Sequence, residues 1–203
     1  MVAKRRDLKI PNAPLGVGFW ATRKLVRAGK RDAKKYKDLR DTTPTHLIKR
    51  LESSAQIEQR KVNEWLVLQL NPLRTGNAAL EALVAQLEEQ IKVYELDLGP
   101  TGRIRKANSK RLDGLRQQRL NAISQRESNF ATGLGLIEIA AEALDTWRRF
   151  FESQAAIYIR ARALKLKQNP PAGAAQLPVF DTVDLIDVRD FQEPRLQIQE
   201  GTE

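Results

Sequence analysis

The carboxylates Glu138, Glu142 and Asp145 recur at helical spacing, a pattern that can hold metal ions or supply an acid and a base. A di-metal helical bundle also places a histidine three residues after a glutamate, and no histidine stands there. The chain has one histidine, His46, and no cysteine. Thiol nucleophiles, disulfides, zinc knuckles and iron–sulfur clusters are thereby excluded, and no histidine-rich site can be assembled. Gly133-Leu134-Gly135 lacks the third glycine of a dinucleotide fingerprint and falls inside a helical pattern, and no phosphate-loop motif occurs. The expectation is a chain with no catalytic residues, no metal, no cofactor and no small-molecule substrate, and hence not an enzyme. The three carboxylates are then charges flanking a helical seam, and His46 an exposed or capping residue.

Charge is the more informative chemistry. Residues 1–41 carry 13 basic and 4 acidic groups, net +9, and residues 101–168 carry 14 and 6, net +8. Residues 42–100 are net −2 and residues 169–203 net −5, with 2 basic and 7 acidic groups, so the overall +10 is segregated along the chain. Within the first segment Arg23, Lys24, Arg27, Lys30, Arg31, Lys34, Lys35, Lys37 and Arg40 form a basic head fit to contact a polyanion or partner. Phe19 and Trp20 precede it as interface anchors. A second basic cluster, Arg103, Arg105, Lys106, Lys110 and Arg111, continues to Arg116 and Arg119. In the acidic tail Val179, Phe180, Val183, Ile186 and Phe191 alternate with aspartates, an extended contact segment that could lie across a basic surface or add to another subunit.

These groups must be positioned by helices. Residues 1–16, with Pro11 and Pro14, read as an extended arm, and residues 17–40 as a basic helix with Phe19, Val26, Ala33 and Tyr36 on its apolar side. Thr43-Pro44 starts a helix to about residue 70, with Ile48, Leu51, Ala55, Glu58, Val62, Trp65 and Gln69 as a seam of alternating three- and four-residue steps. Asn71-Pro72 ends or kinks it, and Asn77 caps a further helix to about residue 98, stopped by Gly99-Pro100. Residues 103–168 contain no proline and read as one long helix. Its seam runs through Leu120, Ile123, Glu127, Phe130, Leu134, Ile137, Ala141 and Leu144, then shifts to Trp147, Phe151, Ala155 and Tyr158. Gly133 and Gly135 predict a bend or close helix packing there.

The fold class expected is all-α: an elongated antiparallel helical hairpin or coiled coil, with a basic N-terminal arm and helix and an extended acidic C-terminal tail. The domains expected are 1–42, a hairpin over 43–168 and a tail over 169–203. Folding back near residue 100 sets Glu138 beside Arg60 or Lys61, and Arg148 or Arg149 beside Glu52. The function expected is a non-catalytic scaffold subunit of a larger, homo-oligomeric assembly, associating with itself and with other protein subunits. The alternatives are a nucleic-acid-binding or packaging protein acting through the basic head, and a peripheral membrane-coat scaffold on an anionic membrane surface. The opening Met1–Arg6 has no cleavage pattern after it and no apolar window is long enough to span a bilayer, so the location expected is intracellular, soluble or peripherally associated.

Overall fold

The computed structural model describes residues 9–37, 46–97, 106–170 and 172–175. Among them are three helices and no strand: α1 (Phe19–Lys35), α2 (His46–Leu96) and α3 (Lys106–Leu166). No helix of the described residues is long and apolar enough to cross a membrane. The chain divides into two compact units, residues 1–66 with 138–185, and residues 67–137 with 186–203, so α2 and α3 each contribute to both.

Three expectations about the elements are corrected. Residues 71–76 are helical, so the helices expected on either side of Asn71-Pro72 are one element, α2. Proline removes one backbone donor and crowds the carbonyl four residues earlier. Pro72 is on an exposed face, where that carbonyl can meet water, and Leu70 and Asn77 are buried on either side of it. Asn77 is accordingly no cap but an interior residue. The seams are also out of phase with the structure. In α2, Leu51, Ala55 and Val62 are buried as expected, but Leu66 and Leu70 follow them rather than Trp65 and Gln69. A strict seven-residue repeat drifts about 20° per heptad against a straight helix, and the apolar pair one residue on takes the core position. In α3, Gly133, Ala140 and Ala143 are buried while Leu134 and Ala141 are exposed; Phe130, Trp147, Phe151, Ala155 and Tyr158 are buried as expected. Glu127, exposed, is not a seam residue, and Glu58 is half-buried against Lys61 at 2.8 Å. The helix runs through Gly133 and Gly135 without interruption.

In the first unit α1 buries Leu25, Gly29 and Ala33, a stripe at four-residue spacing. Of the side expected to be apolar, only Ala33 is fully buried, and Phe19 stands in solvent. Gly29 permits a backbone-to-backbone approach: a Cβ there would sit 2.6 Å from the carbonyl oxygen of Tyr158 and 3.0 Å from the Ala161 methyl. The Tyr158 hydroxyl donates to Asp32 Oδ2 at 3.0 Å, Arg162 donates to the Tyr36 carbonyl at 3.3 Å, and Gln168 donates to that of Lys37 at 3.4 Å. Trp147, Phe150 and Phe151 form an aromatic cluster with centroids 5.4–5.8 Å apart. The Trp147 indole donates to the Pro11 carbonyl at 2.7 Å, tying down the non-helical stretch before α1. Beyond Leu166, Lys167 takes a left-handed conformation (φ 56°) and the Gln168 amide reaches back to the Ala163 carbonyl, which closes the last turn of α3.

The second unit is held by pairs between the later part of α2 and the earlier part of α3. Arg116 meets Glu95 at 2.7 Å, Arg119 meets Glu88 at 2.7 Å and Arg126 meets Glu81 at 3.6 Å. Asn129 donates to Asn77 Oδ1 at 2.9 Å, so the buried Asn77 has its partner on the facing helix. Among its described residues, Leu70, Leu87, Leu112, Ala122 and Phe130 form the buried apolar core.

Candidate polyanion-binding surface

At 3.6 residues per turn, Lys30, Arg23, Lys34, Arg27, Arg31, Lys24 and Lys35 cover an arc of about 140° on α1, opposite the stripe of Leu25, Gly29 and Ala33. All seven are exposed. They are presented, not buried, because the buried face of this helix holds only small and aliphatic residues. The one carboxylate on α1, Asp32, is turned to the Tyr158 hydroxyl and to Arg31 Nε at 3.3 Å. Lys34 and Lys35 fall in the last turn, where the helix dipole favours cations. Lys37 is exposed just beyond the helix, and Arg40 lies outside the described residues.

Phe19 and Trp20 are 70% and 71% exposed, packed edge to face at 5.5 Å, with the Arg23 guanidinium 5.9 Å from the Trp20 ring. Leu15 beside them is fully exposed. Nothing within the described residues covers this aromatic end of α1.

The first two turns of α2 complete the surface. A cleft of about 920 Å³ has Arg31, Lys35 and Tyr36 on the α1 side and His46, Lys49 and Arg50 on the α2 side, with Ala28 and Leu47 also lining it. Four permanent cations thus line one concavity whose only carboxylate, Asp32, is already engaged. Sequence reasoning found the α1 cations but missed the opposing wall, because Lys49 and Arg50 fall in a segment of net negative charge. It also missed Gly29, Asp32 and Arg162, which together with the expected seam residue Tyr158 fix α1 in place; the alternation of Tyr158 with small residues in α3 is the signal that could have revealed them.

The other expected sites fare differently. In the second basic cluster Arg103 and Arg105 lie outside the described residues, as does the side chain of Lys106, which opens α3. Lys110 is exposed, Arg111 donates to the Tyr94 hydroxyl at 3.4 Å, and Arg116 and Arg119 are held by glutamates. Glu138 and Glu142 are exposed, while Asp145 grips Arg148 and Arg149, its own neighbours one turn on. Arg148 and Arg149 are thus paired on their own helix and not with Glu52, Lys61 is paired with Glu58 and not with Glu138, and among the described residues no ion pair joins Arg60 to Glu138; a local i,i+3 or i,i+4 reach is satisfied first. Among the described residues no group of three or more histidines and carboxylates is arranged to hold a metal. The tail residues Val179, Phe180, Val183, Ile186 and Phe191 lie outside the described residues. No family model matches the chain, and no curated protein or solved structure matches it.

Proposed function

We propose that this chain is a non-catalytic α-helical scaffold subunit of a larger homo-oligomeric assembly, and that the cationic face of α1 is its contact surface. The observation that carries the reading is the contrast on α1 itself. The stripe Leu25, Gly29 and Ala33 is committed to the core, while seven cations and two aromatic rings are left in solvent. A surface of that kind gains nothing for the isolated fold, since like charges repel along a helix. It gains from a partner of opposite charge, and the net −5 segment 169–203 of another copy is one such partner.

Within the second unit the later part of α2 and the earlier part of α3 form an antiparallel pair. Support comes from the pairs Glu95–Arg116, Glu88–Arg119 and Glu81–Arg126, in which one helix descends as the other ascends. Exposed Ile57, Leu68, Val93 and Leu96 on α2 and Leu120, Leu134, Ile139 and Leu164 on α3 supply apolar area for association between subunits. Sedimentation of the full chain across protein and salt concentration tests the proposal. Oligomers that dissociate as salt rises are expected, and a monomer at every concentration and salt rules the scaffold out.

A second reading, nucleic-acid binding or packaging through the basic head, is favoured by the cleft, where cations from α1 and α2 converge. A membrane coat draws only on Leu15, Phe19 and Trp20, because the aliphatic face of α1 is packed within the unit and cannot enter a bilayer surface.

A further inference from the structure

We propose that the α1–α2 cleft and the aromatic end of α1 form one track for single-stranded nucleic acid, with phosphates held in the cleft and a base stacked on Trp20. The proposal rests on α1 being a contact surface, as above, and names the partner's chemistry. Proteins that hold single strands without reading sequence combine a cationic groove for the backbone with exposed aromatic rings for the bases. Both parts are present, the rings on α1 and the groove between α1 and α2. Arg31 and Lys35 face Lys49 and Arg50 across the cleft. Trp20, eleven residues before Arg31, lies about 16 Å along the helix axis, within the several-nucleotide sites such proteins cover. Arg23, Lys24 and Arg27 bridge the distance, all exposed, so cations follow the whole path.

The shape and lining also discriminate among polyanions. A lipid surface is flat and would meet only the outermost charges, leaving Lys49 and Arg50 in the concavity unused. The chain's own tail places Asp181, Asp184, Asp187 and Asp190 among large apolar side chains, which match the open face of α1 beside exposed Leu15, Phe19 and Trp20 and not the cleft. The cleft offers them Ala28 and Leu47 among charged and polar residues. A strand whose charge is in its backbone and whose apolar surface is in flat bases fits the cations and the exposed rings together.

The test is fluorescence anisotropy of a labelled oligothymidylate with the full-length protein over a salt series, beside co-sedimentation with phosphatidylserine-containing vesicles. Binding of the oligonucleotide is expected, with affinity falling steeply as salt rises. Lys49→Glu with Arg50→Glu should weaken it at least tenfold and reduce the logarithmic salt slope by about 1.4, two single-strand phosphate contacts. Trp20→Ala should weaken it about fivefold or more, and Trp20→Phe should recover most of that loss. Lys92→Glu with Gln117→Glu and Gln118→Glu, the same total charge change on exposed residues of the other unit, should change it less than twofold. Helicity and the unfolding midpoint confirm that each variant is folded. Equal losses in these two charge-changed variants reduce the effect to net charge and overturn the track. Binding to vesicles without binding to the oligonucleotide overturns it in favour of a lipid surface. An oligonucleotide left unbound by a protein that still self-associates removes the track and keeps the scaffold; a salt-insensitive monomer that binds it does the reverse.

Discussion

Each compact unit contains a basic segment, net +9 over residues 1–41 in the first and net +6 over residues 101–137 in the second, yet the two are used in opposite ways. In the second unit Arg116, Arg119 and Arg126 each meet a glutamate of the facing helix, and polar pairing extends inward to Asn77 and Asn129. In the first unit the helices approach through small residues, with Gly29 against the Tyr158 carbonyl and alanines at 33, 55, 140, 143, 155 and 161 buried. Of the seven α1 cations only Arg31 meets a carboxylate among the described residues, its neighbour Asp32, and none is paired with a facing helix. Net charge therefore says little about binding surface until the partners of each cation are known. A basic segment facing an acidic one becomes structure, and a basic segment on a helix attached by its apolar stripe becomes surface.

That comparison can be broken most severely at Tyr158, 1% exposed and bonded to Asp32. Tyr158→Ala should cost about 3–5 kcal/mol, the range for deleting a buried aromatic side chain. Urea denaturation followed by circular dichroism reads the loss, and an effect below 1 kcal/mol would contradict the packing of α1 on α3. Gly29→Val should cost about 1–3 kcal/mol, because the new Cβ falls within contact of backbone that must shift. The same substitution at Gly135, where a Cβ meets nothing within 4 Å, should show only a helix-propensity effect, so the difference between the two measures the close approach.

In the second unit Asn77→Ala should cost about 1–3 kcal/mol by leaving Asn129 without its buried partner, whereas changing both asparagines to leucine should restore most of the stability. The Arg119–Glu88 pair, more than a third exposed on both sides, should give a coupling of about 0.2–1 kcal/mol in a double-mutant cycle, shrinking with salt. On the free face of α1, Arg27→Ala or Lys34→Ala should move stability by no more than about 0.5 kcal/mol. A larger loss there would mean that these cations are structural after all, and the contrast between the units would close.

Helical content, the near-uninterrupted third helix and the outward cations of α1 were legible from composition and spacing. The positions buried around Trp147, Phe151, Ala155 and Tyr158 were legible too, because aromatic and small residues alternate there at helical steps. Two things were not. Pro72 has the local chemistry of a break, and only the packing of buried residues on both sides keeps the helix intact. The seam phase was misjudged wherever large apolar residues were preferred over small ones: Gly133 and Ala140 are inside while Leu134 and Ile139 are outside. Where helices pack closely, the interface selects for the absence of bulk, and hydrophobicity alone ranks such positions last.

What the amino-acid sequence determined by itself is local: helical class, absence of thiol and histidine-cluster chemistry, and the segregation of charge. These follow from intrinsic propensity and residue inventory, which need no partner in space. Tertiary structure alone decided which cations are free and which are neutralised, and that Lys49 and Arg50 stand across a cleft from Arg31 and Lys35. Ion pairing and concavity depend on distances between residues far apart in the chain, and no spacing along one helix encodes them.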